Sequence, residues 1–153
     1  RDMRLIPFLR RPDPMPPVQF YEQLDPAVFV LRLVPGMRAD IIPLLAPHYR
    51  ALVVESFGVG GLPGGEHGEM YARLQDWCTS GRLAVFTTQV PHEGCDLAVY
   101  EVGRSVKELP GVLEAKDMTP EAVAVKLMWA LGQTTDRAEA MRLFTTPVEW
   151  DIV

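Results

Sequence analysis

Residues 28–34 read Val-Phe-Val-Leu-Arg-Leu-Val, an almost continuously apolar run rich in β-branched side chains. Three shorter runs follow it: Leu52-Val53-Val54, Leu83-Ala84-Val85-Phe86 and Val112-Leu113. None alternates strictly between apolar and polar residues, so neither face of these segments is written for water. That is the pattern of strands buried on both faces of a parallel sheet. Parallel neighbours need crossovers of a dozen or more residues, and the intervening segments are long enough to supply them.

The connections read as helices. The first opens at Pro35-Gly36, a turn signal, and leaves room for a short helix over Arg38 to Leu45, limited by Pro43 and Pro47. In the second, Met70, Leu74, Trp77 and Cys78 recur at i, i+4, i+7 and i+8, which predicts a helix over Glu66 to Ser80 with one buried face. Gly81 then stands where a left-handed cap belongs. The third connection, Leu97 to Leu109, predicts a short helix from about Val102. Thr119-Pro120 places an acceptor at an N-cap and a proline in the first turn. From Ala122 to Leu131 the only charge is Lys126, so that helix is predicted to be buried on more than one side. A last helix starts near Asp136, with Glu139 as a capping-box partner, and runs to about Phe144. The order βαβαβ(α)βαα predicts an α/β fold: an open, mostly parallel four-stranded sheet with flanking helices.

The 153 residues fit one domain. At 48% hydrophobic and 23% charged, the composition is that of a globular chain rather than a disordered one. A net charge of −5 argues against a nucleic-acid partner, which needs a basic face. No apolar run is long enough to span a membrane, and no basic start precedes an apolar segment, so neither a membrane partner nor a secretory signal is expected. Two cysteines, Cys78 and Cys95, make no disulfide framework, and a reduced, cytoplasmic location is the default. The chain opens on Arg1 and has its first Met at position 3, which suggests an excised domain or a fragment. Five of the 14 prolines fall within residues 7–17, so this stretch is expected to be an extended connector, with a short edge strand over Arg4 to Leu9 as the minor alternative. The expected division is a Pro-rich interdomain linker or tail over 1–27 and an α/β domain over 28–153.

Six of the 12 glycines lie between Gly58 and Gly68, after a strand and before a helix. Glycines there let a backbone approach a ligand, and exposed amides hold anions. Pro63 occupies the third glycine position of a dinucleotide fingerprint, and no Gly-Lys-Ser/Thr follows, so neither phosphate motif is present. Two readings stay open: a plain surface loop, or a rim that lines a ligand pocket or a partner surface. Thr87-Thr88-Gln89 closes the third strand toward the same rim, with local strand-ending hydrogen bonds as the competing account. Tyr100-Glu101 and Lys116-Asp117 are read in the same two ways, with Asp117 expected to help open the long helix. Among His48, His67, His92 and the two cysteines no pair has zinc-ligand spacing, so no metal site is expected. A Cys95–His67 catalytic pair is formally open, with no spacing to support it.

Read in order, Val34-Pro35-Gly36, then Val53 to Pro63, then Thr87-Thr88-Gln89, then Tyr100-Glu101-Val102-Gly103, then Asp117-Met118-Thr119-Pro120-Glu121-Ala122, then Lys126-Leu127, the chain resembles the C-terminal domain of bacterial cytosolic (type I) L-asparaginases over roughly residues 28–145. The resemblance implies the smaller of two α/β domains of an enzyme that hydrolyses asparagine to aspartate and ammonia, with no metal or other cofactor. The family's catalytic threonines lie in Thr-Gly-Gly-Thr and His-Gly-Thr-Asp-Thr motifs of the larger N-terminal domain, and neither motif occurs here. No catalytic residue is therefore expected in this chain. The implied partners are that N-terminal catalytic domain and further copies of the subunit, because in the family this domain closes a neighbour's active site and builds dimers and tetramers. The expected contact residues are Ser56, Gly58, Gly60, Gly61, Thr88 and Gln89.

Two departures stand out. Gly61 replaces an Asn that in secreted relatives reaches toward the neighbouring active site, so any contact there is through backbone. Glu55 and Val90 occupy positions where some cytosolic relatives use an Arg and a Cys to bind asparagine allosterically. A carboxylate in place of a cation repels a substrate-like carboxylate, so that allosteric site is expected to be lost. The other readings are a stand-alone binding or oligomerisation module and the asparaginase-like part of a tRNA amidotransferase.

Overall fold

The computed structural model describes residues 17–58, 60–64, 68–90, 94–99, 101–148 and 151. Four strands, β1 (Val28–Arg32), β2 (Ala51–Ser56), β3 (Leu83–Thr88) and β4 (Val112–Glu114), form one sheet in the order β1-β2-β3-β4. Every pairing is parallel, with Val28 beside Ala51 and Ala51 beside Leu83. The helices are α1 (Ile41–Leu45), α2 (Glu69–Thr79), α3 (Glu101–Lys107), α4 (Pro120–Gln133) and α5 (Arg137–Thr145). The expected α/β architecture is therefore the one observed.

Side-chain alternation along the strands splits the core in two. Leu52, Val54, Ala84 and Phe86 face a layer holding Ile42 of α1, Met70, Leu74, Trp77 and Cys78 of α2, and Val106 of α3. Ala51, Val53, Leu83 and Val85 face Val123, Leu127, Ala130 and Leu131 of α4 and Ala140 and Phe144 of α5. Every residue of β2 and β3 is buried, which is why their sequences carry no alternation. Both strands run past their apolar runs to include Glu55, Ser56, Thr87 and Thr88, because the ladder continues to the ends of the strands. The β1 edge departs from the expectation: Val30 is 41% and Val34 46% exposed, since an outermost strand has a neighbour on one side only.

The four residues predicted to form the buried face of α2 are all buried, and the Trp77 indole donates to the Leu83 carbonyl at 2.8 Å. Gly81 ends that helix at φ +93, a left-handed conformation that favours glycine. The helix starts at Glu69 with Gly68 as N-cap; the predicted earlier start at Glu66 lies outside the described residues. Thr119 caps α4 as expected, accepting the Ala122 amide at 3.3 Å. The helix packs on the sheet, on α5 and against residues 21–25, while Val125 remains exposed. Its single charge, Lys126, is buried rather than solvated. At α5 only half of the expected capping box forms. Asp136 accepts the Glu139 amide at 2.7 Å, but Glu139 turns its carboxylate to Arg142, and the Asp136 amide donates to Thr134 Oγ1 instead.

The approach to the first strand is part of the fold. Tyr21 meets the edge of Trp129 at 5.3 Å between ring centres, the Asp25 amide donates to the Met128 carbonyl at 2.9 Å, and the Gln23 carbonyl accepts from Gln133 Nε2 at 2.8 Å. Gly132 makes this approach possible, because a Cβ there would stand 2.5 Å from the Gln23 carbonyl oxygen. The proline-rich stretch upstream lies outside the described residues except for Pro17, which is exposed.

Candidate functional site: the carboxyl rim of the sheet

β2 and β3 end side by side, with Ser56 opposite Thr88. Beyond Ser56 the chain turns tightly: Phe57 and Gly61 exchange hydrogen bonds, and the Phe57 carbonyl also accepts the Gly60 amide at 3.2 Å. Gly58 at φ +51 and Gly60 at φ +147 supply conformations that L side chains rarely adopt. Gly60 also packs on Leu97, whose Cδ2 a Cβ would meet at 2.8 Å. The turn is thus closed on itself. The amides of Gly60 and Gly61, which an anion would need, already donate to Phe57.

The polar side chains of the rim are likewise engaged. Ser56 is fully buried and donates to the Thr87 carbonyl at 2.9 Å. The Thr88 hydroxyl donates to the Gly58 carbonyl and accepts the Val90 amide, tying the glycine turn to the end of β3. Gln89 Nε2 donates to the Leu33 carbonyl at 2.6 Å and to the Glu55 carbonyl at 2.8 Å, joining β1 and β2. Only the bond from the Val90 amide to Thr88 is of the local, strand-ending kind that the sequence left as the competing account; the others reach 30 or more residues along the chain. Ser56, Gly58, Gly60, Gly61, Thr88, Gln89, Glu55 and Val90 nevertheless gather on one edge, as their places at strand ends imply.

Two charged pairs complete the edge, and sequence reasoning missed both. Glu55 is only 9% exposed and meets Nη1 of Arg32, its register partner on β1, at 3.1 Å. The signal available in the sequence was an Arg inside one apolar run and a Glu at the end of the next. Glu114 at the end of β4 accepts the Leu97 amide at 2.8 Å and Lys107 Nζ at 2.8 Å, and donating to Glu114 raises the pKa of the Lys107 ammonium.

Among the described residues the rim has structural polarity and no activated nucleophile. Thr87 and Thr88 are buried, and no base lies within hydrogen-bond distance of the Thr88 hydroxyl among the described residues. Burial pushes the Cys95 thiol up to about 12 and the Cys78 thiol up to about 11, so neither supplies a thiolate at neutral pH. His67, His92 and Tyr100 lie outside the described residues. Among the described residues no group of three or more His, Cys, Asp or Glu side chains is placed to hold a metal ion, and no helix is long and apolar enough to cross a membrane. The sheet order also runs without reversal, so the described rim has no switch-point crevice of the kind that holds ligands in doubly wound folds.

The model of the Glutaminase/Asparaginase C-terminal domain matches residues 27–144. An L-asparaginase of Thermococcus kodakarensis is 37% identical over 133 residues, covering 87% of this chain and 40% of that protein. A glutamyl-tRNA(Gln) amidotransferase subunit of Metallosphaera sedula is 36% identical over 140 residues, covering 91% of this chain and 30% of that protein. Among solved structures, the thermostable L-asparaginase from Thermococcus kodakarensis superposes with a TM-score of 0.78 at 36% identity, over 86% of this chain and 39% of that one. The chain thus spans well under half the length of these relatives.

Proposed function

The chain belongs to the Glutaminase/Asparaginase C-terminal domain family, and from that premise we propose that it is the smaller, catalytically inert domain of an L-asparaginase that hydrolyses L-asparagine to L-aspartate and ammonia. The observation that carries this reading is the engagement of two rim hydroxyls by backbone: Ser56 on Thr87, and Thr88 on Gly58 and Val90. A threonine nucleophile needs a free hydroxyl beside a base, and this edge offers a scaffold instead. On this reading the catalytic threonines come from an N-terminal domain joined through residues 1–27, and residues 28–153 form the accessory domain. The docking of Tyr21 to Asp25 along α4 supports an ordered junction. The rim from Ser56 to Gly61, with Thr88 and Gln89, closes a neighbouring subunit's site in a homo-oligomer, in the cytoplasm, as in the bacterial type I enzymes.

The test is ammonia release from L-asparagine. The chain alone is expected to release none at high concentration, and adding the N-terminal domain is expected to restore activity. Release by the chain alone overturns the reading, and Thr87 and Thr88 are then the first residues to mutate.

A second reading is favoured by the 36% identity to the amidotransferase subunit of Metallosphaera sedula. On it, the chain is the equivalent domain of a tRNA-dependent amidotransferase. Amide hydrolysis by the parent protein that depends on glutamyl-tRNA supports this reading, and full hydrolysis without tRNA excludes it.

A further inference from the structure

The edge opposite the rim holds a cleft of about 380 Å³, whose walls include His48, Arg50, Arg82, Thr135 and Arg137. Arg50 and Arg82 immediately precede β2 and β3, so the length of the strands separates this cleft from the rim by roughly 17 Å. In a chain of net charge −5, three arginines lining one cleft are not a by-product of a basic surface.

The three are held differently. Arg50 is paired with Asp25 at 2.6 Å. Arg82 donates to the carbonyls of Ala46 (2.8 Å) and Tyr49 (3.3 Å) and to Ser80 Oγ (2.6 Å), and lies over the Trp77 ring at 5.2 Å. These partners fix its position, and no carboxylate among the described residues forms an ion pair with it. Arg137 lies against Gly111, in space that a Cβ would fill, and its Nε and Nη2 are buried with no hydrogen-bond partner. Its neighbour Asp136 is occupied by the Glu139 amide. Buried donors, and charged ones above all, are ordinarily paired, because leaving them unpaired is costly.

We propose that this cleft binds a small oxyanion, a free phosphate or a small carboxylate, which pairs with Arg137 beside the fixed charge of Arg82. The guanidinium fork matches either oxyanion. Rotation of the Arg137 side chain off Gly111 into the cleft it already lines gives the orphaned nitrogens their acceptors, and the unmet hydrogen bonds favour that rotation. The site is independent of the rim and of the function proposed for it.

The experiment is calorimetric titration and thermal unfolding of the chain with sodium phosphate and, separately, sodium succinate, at ionic strength held constant with sodium chloride. Saturable heat and a rise in midpoint are expected for at least one anion, and the two arms distinguish phosphate from carboxylate. Arg137→Gln is expected to weaken binding at least tenfold while leaving the anion-free midpoint unchanged or raised, because it removes unpaired donors. A purely structural Arg137 gives the reverse: a lowered midpoint and an undiminished anion response. No saturable response at about 20 mM of either anion, or equal affinity in Arg137→Gln, overturns the proposal. If that variant does not fold, amide chemical shifts of the wild-type chain decide instead. Anion-induced changes centred on Ser80 to Leu83 and Thr134 to Arg137 support the site, and changes elsewhere refute it.

Discussion

Lys126, the only charge on the inner stretch of α4, places its Nζ 2.7 Å from Asp151, with the lysine side chain 6% exposed. The same ammonium donates to the Thr146 carbonyl at 2.9 Å and lies 5.7 Å from the centre of the Phe144 ring. One lysine thus fastens the segment after α5 onto the helix that covers the sheet. Removing one partner of a buried pair strands the other charge, whereas replacing the buried cation with an apolar side chain removes the desolvation cost as well. Asp151→Ala is expected to destabilise by about 2 kcal/mol, and Lys126→Met by about 1 kcal/mol or less. Urea unfolding of both variants checks the order; a larger loss for Lys126→Met contradicts it.

Gly111 and Arg137 form a second coupled pair. Gly111 stands at φ +79, and the Arg137 guanidinium occupies the place of its missing Cβ. Gly111→Ala is expected to cost about 1–2 kcal/mol from the left-handed backbone alone, and more while Arg137 is in place. In an Arg137→Ala background only the backbone cost remains. A double-mutant cycle by chemical denaturation is expected to give a coupling of about 1 kcal/mol, and additivity would falsify the contact.

Both thiols titrate late. Their ordinary value of 9.0 is pushed up to about 11 for Cys78 and about 12 for Cys95 by burial. The folded state therefore keeps protons that the unfolded chain loses above its ordinary thiol pKa. Their contribution to stability is complete below pH 9.0 and falls as pH rises through 9.0 toward 11 and 12. At pH 8 neither thiol is expected to react with Ellman's reagent in the folded chain, and both are expected to react in denaturant. Rapid labelling of the native protein contradicts this burial.

Gly61 tests the rim. A Cβ there would stand 3.2 Å from the Phe57 carbonyl oxygen and 3.3 Å from Phe57 Cβ, so a side chain fits after a shift of a few tenths of an ångström. Gly61→Asn, which introduces the side chain that the resemblance implies at this position, is expected to cost less than about 1 kcal/mol. On the function proposed above, it is expected to change the KM for asparagine of the assembled parent protein. Unchanged kinetics speak against a contact between this edge and a neighbouring active site.

Glu55 tests regulation. Its carboxylate already holds Arg32, so the position carries an internal ion pair where an effector site needs an unpaired cation. On the function proposed above, the parent protein is expected to respond to asparagine hyperbolically, with a Hill coefficient of about 1. Positive cooperativity that disappears in Glu55→Gln refutes the proposal that this site is lost.

The architecture follows from local sequence. Unalternated apolar runs at Leu52 to Val54 and Leu83 to Phe86 specify strands with two buried faces, and spacing, Thr119-Pro120 and Gly81 specify the helices between them, because period and capping are local properties of the chain. The same reading places Ser56, Gly61, Thr88 and Gln89 on one edge, since parallel strands end together. Whether those groups are free was a tertiary matter. Thr88 is engaged by Gly58, Gln89 by Leu33 and Glu55, and Glu55 by Arg32, and each of these partners lies 23 or more residues away in the chain. Tertiary packing alone also buried Lys126 beside Asp151 and left Nε and Nη2 of Arg137 without partners against Gly111. Burial and pairing depend on which distant segments meet, and no local pattern encodes that.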